Sequence, residues 1–287
     1  GGADAFTLQP TTPLDPFTQY TFVADGVEDE SGAAFPAYSM TFTTGADDPG
    51  SGTSVEFTEV SSGASSAKYS TVTMGPDGKL YGLVHDGTIK RWDIASDGTL
   101  QNEETITSLT DAEGGNRLSI GLQFDPDATA SNLVAWVTHT SFGFSGEPDW
   151  QGKITQLSGP DLGTVQDYVV NLPRSAKDHV TNGMDFGPDG ALYVNQGSNS
   201  AMGAADPTWS NRPERMLSAA VLRVDVDQLE ASGALPVNVK TTDGGTYDPY
   251  AATAPVKLFA TGIRNMYDLV WHSNGNLYVP TNGSAAG

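Results

Sequence analysis

The 287-residue sequence contains no cysteine, which excludes disulfides, thiolate metal sites and cysteine nucleophiles and leaves the redox compartment open. Basic residues are scarce. Lys and Arg number 14 against 35 Asp and Glu, a formal net charge of -21, so nucleic acid and anionic membrane surfaces would be repelled. No apolar run approaches the roughly 20 residues of a membrane helix, and no secretory leader pattern is visible. We therefore expect no nucleic-acid partner and no membrane insertion. What the sequence does have is 33 Gly and 17 Pro with only 38% hydrophobic residues, a composition of strands and turns that points to an all-β fold. The length suits one large domain or two ordinary ones. The chain begins Gly-Gly-Ala and stops at Ser-Ala-Ala-Gly just after a strand-like run. We read it as an excerpt of a longer protein whose further segments could hold an export signal and further blades.

Two alternating runs, Gln19-Tyr20-Thr21-Phe22-Val23 and Tyr38 to Thr44, flank an acidic, turn-rich stretch from Ala24 to Pro36. Period-two alternation marks half-buried strands. The landmarks YTF, VxDxxG and FTTG in this stretch resemble the end of a bacterial Ig-like domain of large surface proteins, which implies about half a β-sandwich over residues 1–44. Residues 45–54, with Asp47-Asp48-Pro49-Gly50-Ser51-Gly52, have linker composition. A domain boundary near residue 50 follows, with a second domain over residues 55–287.

That second domain repeats a unit of two linked strands, one after a Pro-Asp-Gly turn and one of the form Gly-x-Ile-x-Arg-x-Asp. Pro presets the backbone at the second turn position and Gly accepts the positive φ of the exit. GPDGKLY at Gly75 returns as GPDGALY at Gly187 and more loosely as HSNGNLY at His272, with Asp125-Pro126-Asp127 between them. The companion strand appears as Gly87 to Asp93, Gly152 to Leu157 and Ala220 to Asp225. Pro76, Pro126 and Pro188 stand 50 and 62 positions apart, and several short strands per period of that length indicate β-propeller blades. Ser273 follows after a further 85, so an insertion is expected within Gly203 to Pro255. We expect about four propeller blades in this stretch.

One element does not repeat. Asp178-His179 lies nine residues before Pro188, where a strand of blade length carries the histidine to the propeller mouth. A neighbouring carboxylate can raise a histidine's basicity and fix its orientation; the plainer reading is a surface acid beside a loop histidine. Three segments taken in order, NRLSIGLQFDPD at Asn116, KDHVTNGMDFGPDGALYV at Lys177 and ATGIRNMYDLVWHSNGNLYV at Ala260, resemble the glucose/sorbosone dehydrogenase family. These are soluble six-bladed quinoproteins that oxidise sugars with pyrroloquinoline quinone (PQQ) and calcium.

The resemblance implies a quinone-dependent oxidation of an aldose to its lactone, with an external electron acceptor. His179 would be the general base on the anomeric hydroxyl, Asp178 would hold its imidazole, and Asn116 would be a polar active-site residue. Arg264 and Asn265 would contact the quinone, the arginine stabilising negative charge on it. Backbone carbonyls at Gly283 and Ser284 would help bind calcium. The chain departs from the family's usual Gly-Asp at Gln196-Gly197-Ser198-Asn199-Ser200, and from Pro-Gln-Gly at Met266-Tyr267-Asp268. Those departures favour a second reading, a non-catalytic propeller for carbohydrate binding or adhesion in a multi-domain surface protein. A lactone-hydrolysing calcium propeller ranks third. The surface-type module implies an extracellular, cell-surface or periplasmic location.

The remaining candidates read as structural. His85 and His272 sit in turns, His139 ends a strand-like run facing the mouth or the core, and Asp125-Pro126-Asp127 and Glu28-Asp29-Glu30 lack an EF-hand spacing for calcium. Tyr193, Trp209 and Trp271 read as packing residues more readily than as sugar platforms.

Overall fold

A computed structural model describes residues 10–12, 14–27, 32, 34, 37–45 and 62–283. The chain divides into two compact units, Gly1–Val60 and Ser61–Gly287. In the first, β1 (Gln19–Ala24) and β2 (Tyr38–Thr43) form an antiparallel hairpin with Gln19 opposite Thr43 and Ala24 opposite Tyr38. Alternate residues of β1 are partly buried, as the period-two pattern requires, and the Tyr20 and Phe42 rings stack across the pair. A hairpin is common to many folds and does not by itself distinguish an Ig-like sandwich. Glu28-Asp29-Glu30 lies outside the described residues, as does most of the linker stretch.

The second unit is a succession of antiparallel sheets. The first contains β3 (Tyr69–Met74), β4 (Leu80–Val84), β5 (Ile89–Ile94) and β6 (Leu100–Ile106), paired in chain order. After the short helix α1 (Ser108–Glu113), the second contains β7 (Arg117–Phe124), β8 (Val134–Ser141), β9 (Gly152–Ser158) and β10 (Thr164–Leu172). The third begins with β11 (Thr181–Phe186), β12 (Leu192–Gln196) and β13 (Ala220–Val224). Residues 226–255 then leave that sheet, forming α2 (Val226–Ser232) and the short β14 (Val237–Asn238). β14 pairs in parallel with the outer edge of β10, and the chain returns as β15 (Val256–Thr261) to complete the third sheet. Two short ladders follow, β16 (Asn265–Met266) with β19 (Thr281–Asn282) and β17 (Val270–Trp271) with β18 (Leu277–Tyr278).

The sequence repeat maps onto these sheets strand by strand. Each Pro-Asp-Gly turn joins the first strand of a sheet to the second, and each Ile-x-Arg or Leu-x-Val run is the third strand. At Gly75-Pro76-Asp77-Gly78, Gly78 adopts φ +76° and its N–H reaches the Gly75 carbonyl at 3.0 Å. Asp77 then accepts from the Lys79 amide and, at 2.8 Å, from the Tyr81 hydroxyl. Asp189 repeats both contacts with Ala191 and Tyr193. The leading glycine has a steric reason: a Cβ on Gly75 or Gly187 would lie 2.4 Å from the ring of that tyrosine. The third copy starts with His272 instead, and there the His272 and Tyr278 rings meet edge to face at 5.8 Å, while Asn274 takes the aspartate's place on the tyrosine.

Successive sheets are packed face to face. Along β8, Ala135 and Val137 join the cluster shared with the first sheet (Tyr81, Leu83, Ile89, Ile106), whereas Trp136 joins the cluster shared with the third (Leu192, Val194, Leu222, Val256). Both faces of the strand are therefore apolar, as a buried central sheet demands. A third cluster places Tyr193 and Val221 against Met266, Leu269 and Trp271. Polar links tie the innermost strands together: Thr71 Oγ1 donates to the Ile120 carbonyl, Thr138 Oγ1 to the Asn182 carbonyl, and the Gly183 amide to the Tyr267 carbonyl. Thr71, Gly121, Gly183 and Asp268 from all four segments line one cavity of about 290 Å³. Inner strands around a common cavity, with outer strands radiating from them, make this a propeller-like arrangement.

Candidate functional site

His179, Asn116 and Arg264 hold equivalent places in the fold, one or two residues before β11, β7 and β16. Their surroundings differ. His179 is 1% exposed, and its backbone N–H donates to Ser175 Oγ at 3.0 Å. On the imidazole, Nδ1 lies 2.9 Å from Ser198 Oγ and 3.1 Å from the Ser198 carbonyl. Nε2 makes no hydrogen bond with the described residues. The ring is covered by Trp209, with centroids 4.4 Å apart. Trp209 is presented by a single 3-10 turn, Pro207–Trp209, whose N-terminus Asp206 caps at 3.1 Å.

Burial pushes the His179 imidazole down to about 4, assisted by the Arg264 guanidinium and opposed by Asp178, the hydrogen bond to the Ser198 main chain and Glu214. The ring is accordingly neutral across the physiological range. Asp178 does not hold it: the carboxylate is exposed and forms no hydrogen bond to the imidazole. Nδ1 meets Ser198 instead of Asp178, because the chain turns outward at Asp178 while the loop after β12 folds back over the ring. A Cβ on Gly197 would lie 2.8 Å from the His179 Cβ, so this approach requires glycine.

A cavity of about 990 Å³ opens beside this pair. Lys177, Asp178, Asp206 and Arg264 supply its charges, and Trp209 and Met202 are among its apolar wall. Lys177 Nζ sits 5.3 Å above the Trp209 ring, within cation–π range. The structure thus brings Asp178 and Arg264 to one cavity, with His179 directly behind the Trp209 wall. Asn116 is exposed at the start of β7, and neither it nor Asn265 lines that cavity. Asn265 instead faces the inner strands, its Oδ1 3.4 Å from Asn182 Nδ2.

Arg264 Nε donates to the Ala201 carbonyl and Nη1 to the Gly283 carbonyl at 2.9 Å. The Gly283 oxygen, expected to face calcium, therefore faces a guanidinium. A hard cation needs six to eight oxygen ligands, and a fixed positive charge on the same carbonyl opposes one there; Ser284 lies outside the described residues. One acidic cluster, Glu113, His139 and Asp167, has metal-like spacing, but Lys153 Nζ already sits 2.5 Å from Glu113 and 2.8 Å from Asp167. Arg117 completes the charge balance from 3.4 Å. Within it, Arg117 Nε donates to His139 Nδ1, and His139 Nε2 pairs with Thr155, which donates to Asp167. His139 is fully buried, and its basicity is driven well below normal by that burial and by Arg117 and Lys153. It belongs to the core, not to the mouth.

Sequence reasoning missed Ser198, Trp209 as the cover of His179, and Glu214. Glu214 accepts from the Asn199 amide at 2.8 Å, the Ser200 amide at 2.9 Å and the Ser200 hydroxyl, fixing the loop that holds the histidine. The only available signal was the unusual Gly197-Ser198-Asn199-Ser200 run. Tyr193 and Trp271 pack together at 5.0 Å, as expected. His85 makes no side-chain hydrogen bond among the described residues, His272 Nδ1 accepts from the Asn274 amide, and Asp125 serves its own turn and Trp136.

No family model matches the chain. Among solved structures, it is similar to the PQQ domain of pyranose dehydrogenase from Coprinopsis cinerea, in its holo form. Identity is 13% and the TM-score 0.50, over 76% of this chain and 44% of that one. That likeness shows the fold alone, which the chain shares with that domain. A putative oxidoreductase of the glucose dehydrogenase type from Thermus thermophilus matches at 18% identity and a TM-score of 0.46, over 74% of this chain and 56% of that one. The chain thus spans about half the length of the solved structures it matches.

Proposed function

We propose that the chain is part of a quinone-dependent sugar dehydrogenase that takes an aldose to its lactone, with His179 as the general base. The observation that carries this reading is a neutral, buried imidazole whose Nδ1 is engaged and whose Nε2 is unengaged, beside a cavity that also holds Arg264 and Lys177. A flat aromatic quinone fits the apolar wall of Trp209, Phe144 and Met202, and Lys177 and Arg264 would face its carboxylates, with Asp178 and Asp206 balancing the charge of the same cavity. When bound, PQQ supplies a two-electron acceptor for the hydride on the sugar's anomeric carbon.

The residues supply the rest. As the C–H electron pair leaves, the anomeric hydroxyl becomes strongly acidic, so a base as weak as His179 suffices to take its proton and let the carbonyl form. Arg264, half-buried at the cavity, offers positive charge where negative charge develops on the acceptor. Trp209 and the buried walls around His179 keep bulk water from the base. Calcium has no described ligand set at Gly283, and no step is assigned to it. An external electron acceptor, and a location outside the cytoplasm, belong to the same proposal and rest on the sequence resemblances.

A second reading, carbohydrate binding without turnover, is favoured by one observation: Trp209 covers His179, and two Arg264 nitrogens are occupied by main-chain carbonyls. The test is titration of the protein with PQQ, with and without calcium, followed by dye reduction with a panel of aldoses. Quinone binding with aldose turnover supports the dehydrogenase. Aldose binding without quinone binding or turnover supports the second reading and ends the first.

A further inference from the structure

His179 Nδ1 faces two oxygens of a single residue, and their chemistry fixes where the imidazole proton resides. The Ser198 hydroxyl has one proton, and it is committed: Oγ donates to the Ser200 carbonyl at 2.6 Å. Towards Nδ1, 2.9 Å away, that oxygen can only accept. The Ser198 carbonyl, 3.1 Å from the same nitrogen, can never donate. Two acceptors on one ring nitrogen require a proton on it, and a neutral imidazole then carries its lone pair on Nε2.

The loop is braced to keep this geometry. Ser198 N–H donates to the Arg264 carbonyl at 2.8 Å and Gly197 N–H to the Val180 carbonyl at 2.9 Å, while Glu214 holds the next two amides. The charged groups that face the ring are Arg264, Asp178 and Glu214; none of them hydrogen-bonds to it.

We propose that Ser198 is the positioning residue of this site: it locks His179 in the Nδ1–H tautomer and leaves Nε2 as the atom that accepts the substrate's proton. The tautomer stands on geometry alone, and only the proton's origin rests on the dehydrogenase reading above. A carboxylate at position 198 would stabilise the imidazolium strongly, whereas the neutral Ser198 oxygens orient the ring and raise its basicity by less than burial lowers it. Ser198 thus orients the ring while burial keeps its basicity low.

The experiment is long-range proton–nitrogen NMR of the histidine rings from pH 5 to 8, in the wild type and in Ser198→Ala, Ser198→Thr and Ser198→Asp, with aldose turnover measured on the same samples. The wild type and Ser198→Thr should show His179 as the Nδ1–H tautomer and neutral throughout. Ser198→Ala keeps the main-chain carbonyl acceptor but loses the hydroxyl, so Nδ1–H should stay the major tautomer with a larger Nε2–H share than in the wild type, and Ser198→Asp should raise the His179 pKa by roughly 1–3 units, moving the acid limb of any pH–rate profile with it. An Nε2–H wild type would overturn the proposal, as would Ser198→Ala and Ser198→Asp spectra indistinguishable from wild type. Spectra as expected with no turnover in any sample would overturn the dehydrogenase reading and leave Ser198's role intact.

Discussion

Acidification should destabilise this protein through His179 in a way that one substitution removes. The folded imidazole titrates near about 4 because it is desolvated and faces Arg264, whereas an unfolded histidine titrates near about 6.5. Between those values the unfolded chain binds a proton that the folded protein refuses, so stability is complete above pH ~6.5 and falls as pH falls towards 4. At ~1.36 kcal/mol per unit, the His179 contribution amounts to about 2 kcal/mol lost by pH 5 and about 3 kcal/mol by pH 4. His139 acts in the same direction, and the carboxylates add their own slope, so the wild-type curve alone cannot isolate His179. His179→Gln can, because it leaves the other groups in place and cannot take up the proton. Urea unfolding at pH 7.5, 6 and 5 should show the wild type losing about 2 kcal/mol more than the variant across that range. Parallel stability curves would refute the claim that His179 is held neutral by burial.

Three further outcomes follow from the same geometry. Trp209→Ala removes the ring lying 4.4 Å from the imidazole; the His179 pKa should rise towards its ordinary value in an NMR titration, with a stability loss of about 3 kcal/mol. An unchanged titration would mean that Trp209 is not what excludes water. Gly197→Ala places a methyl 2.8 Å from the His179 Cβ, so it should cost about 1–3 kcal/mol in thermal or urea unfolding and shift the His179 ring resonances. Asp77→Asn weakens the bond to the Tyr81 hydroxyl and should cost about 1 kcal/mol in urea unfolding, whereas Asp127→Asn, whose carboxylate makes no hydrogen bond among the described residues, should be neutral within ~0.5 kcal/mol.

The scaffold was readable because its determinants are local. A Pro-Asp-Gly-x-Leu-Tyr phrase contains its own turn, acceptor and hydroxyl within a few residues, so its recurrence announces the sheets before any long-range contact is known. The departure at 226–255 was visible as an overlong interval, but not its content, since β14 pairs with β10 from a different sheet. The site was less legible for the same physical reason. Ser198 acts on a histidine 19 residues earlier, and Glu214 on Ser200 from across a loop. Nothing in Gly197-Ser198 alone distinguishes a loop serine from a partner of an imidazole. Adjacency is no better a guide: Asp178 is next to His179 in sequence, yet the chain bends at residues 176–178 and leaves Asp178 exposed while His179 is buried. Asn116 marks the right strand start but lies exposed there. The His139 network, drawn from α1 and four strands, carries no sequence signature.

The most direct test of the account is the rate of aldose-dependent dye reduction by wild type and His179→Ala at equal bound PQQ. Turnover by the wild type, with a loss of about 10²-fold or more in the folded variant, is the expected result. Equal rates in the two proteins would remove His179 from the chemistry and contradict the account.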